Sequence, residues 1–187
     1  MARTTLGRMV TAAAIPAAIS NTPSTQLANL PAGSRAATRA TLRIMRNTVR
    51  EARTHYPIIE LARQITQGIP QKDWLGEARA IHQFVRDRIR YVQDPAGLEL
   101  VQIPEETLRV RAGDCDDKSV LAGALLQAIN HPVRLRAVGL NRAGQFQHVF
   151  PETRIGSRWL SVETTEPVEL GWLPAGIRKD ADMIEYI

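Results

Sequence analysis

At 187 residues the chain is long enough for one domain with a full core, and its 44% hydrophobic content excludes a wholly disordered protein. No stretch approaches the roughly 20 apolar residues of a membrane-spanning helix, so no membrane span is expected. The net charge of +5 and pI near 10 admit an anionic partner; with only 5% aromatics there is no aromatic-rich RNA-binding signature, so nucleic acid stays open as a partner but unsupported.

Residues 1–33 are rich in Ala, Thr, Ser and Pro and lack sustained helical periodicity, which predicts a flexible or partner-bound arm. Its early arginines precede an alanine-rich, weakly hydrophobic stretch broken by Pro16, so secretion is not expected. Residues 34–70 read as a basic helical extension. Leu42, Met45, Val49 and Ala52 recur at helical spacing, with Arg35, Arg39, Arg43, Arg46, Arg50 and Arg53 among them. Those arginines are expected to form a solvated helix face. Docking to nucleic acid, an acidic protein or anionic lipid is the alternative. Pro57 limits this helix, and Ile58–Ile65 begins another, ended by Gly68-Ile-Pro70.

Residues 71–187 then read as the chemistry-bearing domain. Asp73 is the expected N-cap of an amphipathic helix with Trp74, Ala78, Ile81, Phe84, Val85 and Ile89 on one stripe. Tyr91 to Gly97 turns away, and Leu98–Val110 predicts loop and short helix. Ser119–Ile129 is apolar with small Gly123 and Ala124, which predicts a buried central helix capped by Asp114. Beyond Pro132 the period changes to two. Val133–Val138, Gln145–Pro151 and Arg158–Glu163 read as antiparallel strands, and the tail from Leu170 as irregular. Helices followed by a strand meander define an α+β class.

Cys115, the only cysteine, stands in Gly113-Asp-Cys-Asp-Asp at the start of that central helix. A lone cysteine forms no internal disulfide, and first-turn N–H groups favour a thiolate and hold an oxyanion. Flanking Asp114 and Asp116 oppose ionisation, so activation needs a cation. His148 lies on the second predicted strand. A turn centred near Gly156 sets it within a position of Glu163 on the third. The order is that of a thiol nucleophile, a general base and an orienting acid. Asp114, Asp116 and Asp117 lack the remaining ligands of a calcium loop, and no glycine pattern fits a phosphate loop, so no metal or cofactor is expected. His55, His82 and His131 read as structural.

Gly113-Asp-Cys-Asp-Asp with its Leu/Ala helix, His148-Val and Trp159-Leu-Ser-Val-Glu-Thr-Thr165 resemble the transglutaminase-like superfamily of papain-fold cysteine enzymes. Tyr91-Val-Gln-Asp-Pro95 and Gly171-Trp-Leu-Pro174 resemble its short bacterial and phage-associated members. The resemblance covers roughly Asp73 to Pro174. It implies a Cys-bearing helix packed on an antiparallel sheet, with Cys115 as nucleophile, His148 as base and Glu163 where such proteins more often carry aspartate. It also implies a second oxyanion donor upstream of the cysteine, for which Gln102 and Tyr91 are the candidates, with Asp114 and Asp116 supporting the site. The implied activity is cysteine protease, amidase or acyl-transferase chemistry on a protein or peptide substrate. The alternative is a virion structural or assembly module that binds other proteins through the basic N-terminal region. The implied location is cytoplasmic or virion-associated.

Overall fold

The computed structural model describes residues 33–94 and 100–187, and the backbone of 25–26. The arm expected over 1–33 and the turn expected at 95–97 therefore fall almost wholly outside the described residues. The elements run β1 (Thr25–Gln26), α1 (Arg35–Ala52), α2 (Tyr56–Ile65), α3 (Trp74–Arg88), β2 (Arg90–Tyr91), β3 (Leu100–Val101) and α4 (Pro104–Val110). They continue with β4 (Ala112–Gly113), α5 (Cys115–Ala128), β5 (Val133–Val138), β6 (His148–Ile155), β7 (Arg158–Ser161) and β8 (Asp182–Tyr186).

The helices start where local chemistry satisfies their free N–H groups. Ser34 Oγ accepts from Ala37 N, and the Asp73 carboxylate accepts from Gly76 N. Pro57 sits in the first turn of α2, where its missing N–H costs nothing. Asp114 and Asp117 cap α5 reciprocally, each accepting the other's backbone N–H.

Helix α5 is the hub. It is buried along nearly its whole length and packs on α1, α2, α3 and α4 on one side and on β6 and β5 on the other. Leu42, Met45 and Val49 of α1 and Ile58 and Leu61 of α2 join Val120, Leu121 and Leu125 of α5 in one apolar cluster. Each such side chain contributes about 1.5–3 kcal/mol on burial. At Gly123 an added Cβ would lie 3.3 Å from Val49 Cγ2, so α1 packs directly on the α5 backbone there.

The sheet has order β7-β6-β5-β8 and is antiparallel throughout. Three sequence expectations change here. Strand β6 begins at His148 rather than Gln145, because Phe146 N donates to Gly33 O and the Gln147 side chain accepts from Leu140 N and Asn141 N. The β6–β7 hairpin sets Arg154 against Trp159, one register position from a turn centred on Gly156, and β7 stops at Ser161. The tail expected to be irregular instead supplies β8, an edge strand on β5. Arg136 clasps Asp182, and Arg46 of α1 reaches Glu185 at 2.5 Å. On the other face of β5, Leu135 and Ala137 point into the core.

Candidate active site

A short parallel pairing brings Tyr91 to the start of α5. Parallel strands β2 and β4 set Tyr91 beside Gly113, and Val92 N donates to Gly113 O at 3.0 Å. Gly113 admits no side chain, since a Cβ there would lie 2.5 Å from Asp117 Cβ. That close approach is why the motif needs glycine two residues ahead of the cysteine.

Cys115 occupies the first residue of α5 and is half-buried. Its thiol donates to Asp116 Oδ1 at 3.5 Å, not to the imidazole. Burial pushes the thiol pKa well above its usual value, and the charges of Asp116 and Asp114 push the same way. One group opposes them: the backbone N–H of Val149, the residue after His148, favours the thiolate. The carbonyl of Val149 accepts from Ser119 Oγ at 3.2 Å. The strand that His148 opens is thus tied to the second turn of α5.

His148 opens β6. Its Nε2 lies 2.6 Å from Glu163 Oε2. Nδ1 is therefore the ring nitrogen left for other partners. Glu163 lies beyond the end of β7 and is 1% exposed. Its second oxygen, Oε1, accepts from Thr165 N at 2.7 Å and Thr165 Oγ1 at 2.6 Å. Burial alone would raise this carboxyl, but the bonds from His148 and Thr165 and the His148 charge outweigh it, so its pKa is lowered. The longer glutamate side chain thus reaches the imidazole from outside the strand ladder.

Two buried groups stand behind this pair. His82 of α3 donates from Nε2 to the Glu163 carbonyl at 2.6 Å, fixing the backbone that presents the carboxylate. Lys118 of α5 is 2% exposed. Its Nζ donates to Ile89 O at 2.6 Å. Burial lowers its pKa to about 8, while the charges of Glu163 and Asp87 work against that fall. Sequence reasoning left His82 as structural and missed the burial of Lys118. The available signal was a lysine one turn past the cysteine, inside a helix with no polar stripe beyond it.

The other candidates have defined partners. Gln102 donates its backbone N–H to Asp117 Oδ1 at 2.8 Å and its side-chain amide to Asp117 Oδ2 at 2.6 Å. That bond assigns Gln102 to supporting the helix start. Asp114 accepts from Asp116 N at 2.9 Å and Asp117 N at 3.3 Å. Burial and the Asp117 charge raise Asp114 to about 7. Burial also raises Asp117, to about 6, against the bonds from Gln102 and Asp114. Tyr91 is half exposed, and its pKa is raised by partial burial and by the negative charges of Cys115, Asp114, Asp116 and Glu166. The charges at the start of α5 thus act on its hydroxyl. Asp114, Cys115 and Asp116 offer ligand atoms all within 4.8 Å of one another, but Asp114 is already taken by the helix cap.

His131 is buried, with Nε2 2.9 Å from Glu77, and His55 pairs with Glu105 at 2.6 Å. Each of these bonds ties together segments distant in sequence, and burial lowers the His131 pKa.

A cysteine at the N-terminus of a buried helix, packed on an antiparallel sheet that carries a His–Glu pair, defines a papain-like α+β core. The chain belongs to the transglutaminase-like superfamily, whose family model matches residues 59–164. Two solved structures share the fold. One is a candidate protease from Parabacteroides distasonis, 14% identical with a TM-score of 0.58, matched over 79% of this chain and 29% of that one. The other is a candidate cysteine protease from Cytophaga hutchinsonii, 23% identical with a TM-score of 0.51, matched over 67% of this chain and 41% of that one. This chain thus spans less than half the length of either. No curated protein matches it. Among the described residues no helix is long and apolar enough to cross a membrane.

Proposed function

We propose that the protein carries out thiol-dependent acyl chemistry on amide bonds of a protein or peptide, with Cys115 as nucleophile, His148 as acid–base and Glu163 as orienting carboxylate. One observation carries this reading. The His148–Glu163 pair at 2.6 Å sits at the start of β6, a strand tied to the helix of Cys115 by the bond from Ser119 Oγ to Val149 O.

The chemistry follows from the electrostatics. Burial and two carboxylates hold an isolated Cys115 thiol protonated at neutral pH. A cation beside the sulfur reverses that balance. His148 becomes that cation when Nδ1 takes the thiol proton, and Glu163 stabilises the imidazolium through Nε2–H. The thiolate attacks the amide carbonyl carbon, and the Cys115 N–H and the Tyr91 hydroxyl stabilise the resulting oxyanion. The imidazolium protonates the leaving amine as the C–N bond breaks, which leaves a thioester. Water then completes hydrolysis; an acceptor amine would complete transfer instead. Hydrolysis is the preferred outcome, because the sequence offers no dedicated amine site.

The test is intact-mass analysis after incubation with iodoacetamide across pH, with Cys115→Ala as the control. One adduct is expected, with an apparent thiol pKa below about 8.5. A thiol that reacts only well above that value refutes the ion pair and the proposed activity with it.

A further inference from the structure

Seven arginines and no carboxylate precede Glu51, so the rest of the chain carries a net charge of −2 and the whole basic excess lies in the first fifty residues. Five of these seven arginines, with Arg53 just beyond, belong to or cap α1. At 100° per residue, Arg35, Arg39, Arg43, Arg46, Arg50 and Arg53 fall within an arc of about 80°. The stripe runs about 27 Å along the helix at 1.5 Å per residue. The core face, centred on Met45, lies elsewhere on the helix, and Glu51 points away from the arc.

Within this stripe Arg35, Arg39, Arg43, Arg50 and Arg53 are exposed. Among the described residues only Arg46 meets a carboxylate, that of Glu185. Arg35 donates to the Asp180 carbonyl and Arg53 to Gln127 Oε1, contacts that leave their charge uncompensated. Residues 1–33 cannot neutralise the row, since they hold Arg3 and Arg8 and no acid.

Holding like charges in line at one-turn spacing is unfavourable without a counter-charge. The chemistry of the row narrows its partner. An interfacial helix carries exposed bulky apolar residues beside its charges, whereas here the flanking residues are Ala36, Asn47 and Ala40, and Ile44 beyond them packs against the core. A protein interface centres on buried aromatic anchors, and α1 contains no aromatic residue. Regularly spaced guanidinium groups with small residues between them suit a repeating, sequence-independent row of phosphates.

We propose that the α1 arginine stripe binds the phosphate backbone of nucleic acid. The proposal is independent of the acyl chemistry, and Cys115→Ala should bind unchanged. Its test is fluorescence anisotropy of the full chain with a labelled DNA duplex of about 20 base pairs, and with DNA and RNA single strands of similar length, titrated over salt. Five uncompensated arginines predict a log–log salt slope near −4.5 on duplex, a loss of about 10²–10³-fold in affinity between 50 and 200 mM salt. The variant R39Q/R43Q/R50Q should keep its helical circular dichroism and reduce that loss to about tenfold. The variant R39K/R43K/R50K should retain the parent slope, which separates charge from fold. Absence of binding at low salt, or a glutamine variant with the parent slope, overturns the proposal. So does equal or tighter binding to polyglutamate or to phosphatidylserine vesicles, which would assign the row to an acidic protein or a membrane.

Discussion

Replacing Glu163 with glutamine tests the proposed ion pair through one hydrogen atom. Oε1 of Glu163 accepts from the Thr165 N–H, a group that can only donate, and from the Thr165 hydroxyl. In Glu163→Gln the amide oxygen is held there, and the NH2 group turns to His148 Nε2, 2.6 Å away in the parent. An N–H donor facing Nε2 forces the tautomer with the proton on Nδ1, the nitrogen proposed to accept the thiol proton. Losing a charge-assisted bond costs about 1.5–3 kcal/mol, and opposing the wrong tautomer adds about 1–3 kcal/mol more. Together these predict a fall of about 10²–10⁴-fold in the thiolate–imidazolium population. The assay is the rate of iodoacetamide addition to Cys115 at pH 7, followed by intact mass. Glu163→Asp keeps the charge but shortens the reach, and should fall between the two. A glutamine variant that reacts as fast as the parent refutes the role given to the carboxylate.

Two further outcomes follow from the same geometry. Tyr91→Phe should slow acylation by a p-nitrophenyl ester by about 10²–10³-fold while leaving alkylation of Cys115 within about twofold, since an oxyanion donor acts only on the carbonyl; equal losses in both assays would remove Tyr91 from that role. Lys118 has a folded pKa of about 8 against an ordinary 10.5, so the unfolded chain binds more protons between those values and stability should rise with pH there. Denaturant titrations of the parent and Lys118→Met should therefore diverge by about 2–3 kcal/mol in the parent's favour between pH 8 and 10.5. Parallel curves would show that the ammonium group is not desolvated.

Much of this architecture was legible because it rests on local chemistry. Ser34, Asp73 and Asp114 announce helix starts by carrying acceptors where N–H groups are free, and each does so in the structure. The period change after Pro132 announces strands because pleating alternates side chains. The fold class and family followed from these signals and from the cysteine motif. What stayed hidden depends on contacts distant in sequence. Strand β8 is too short and too mixed in polarity to show a period, and it is held by Arg136 and by Arg46 of another element. Gln102 carries no mark of its bond to Asp117, fifteen residues away. The burial of Lys118 becomes visible only once Ile89 O and Glu163 are known to lie beside it. The His148–Glu163 approach was anticipated through the hairpin, yet the ladder ends two residues before Glu163.

At Gly123 the Val49 side chain of α1 rests directly on the backbone of α5, with no side chain of α5 between them. Val49 stands in the last turn of one rod, and Gly123 about two turns into the other, which Cys115 leads. A methyl group at position 123 would therefore press the arginine-bearing rod off the one that carries the sulfur by a few tenths of an ångström.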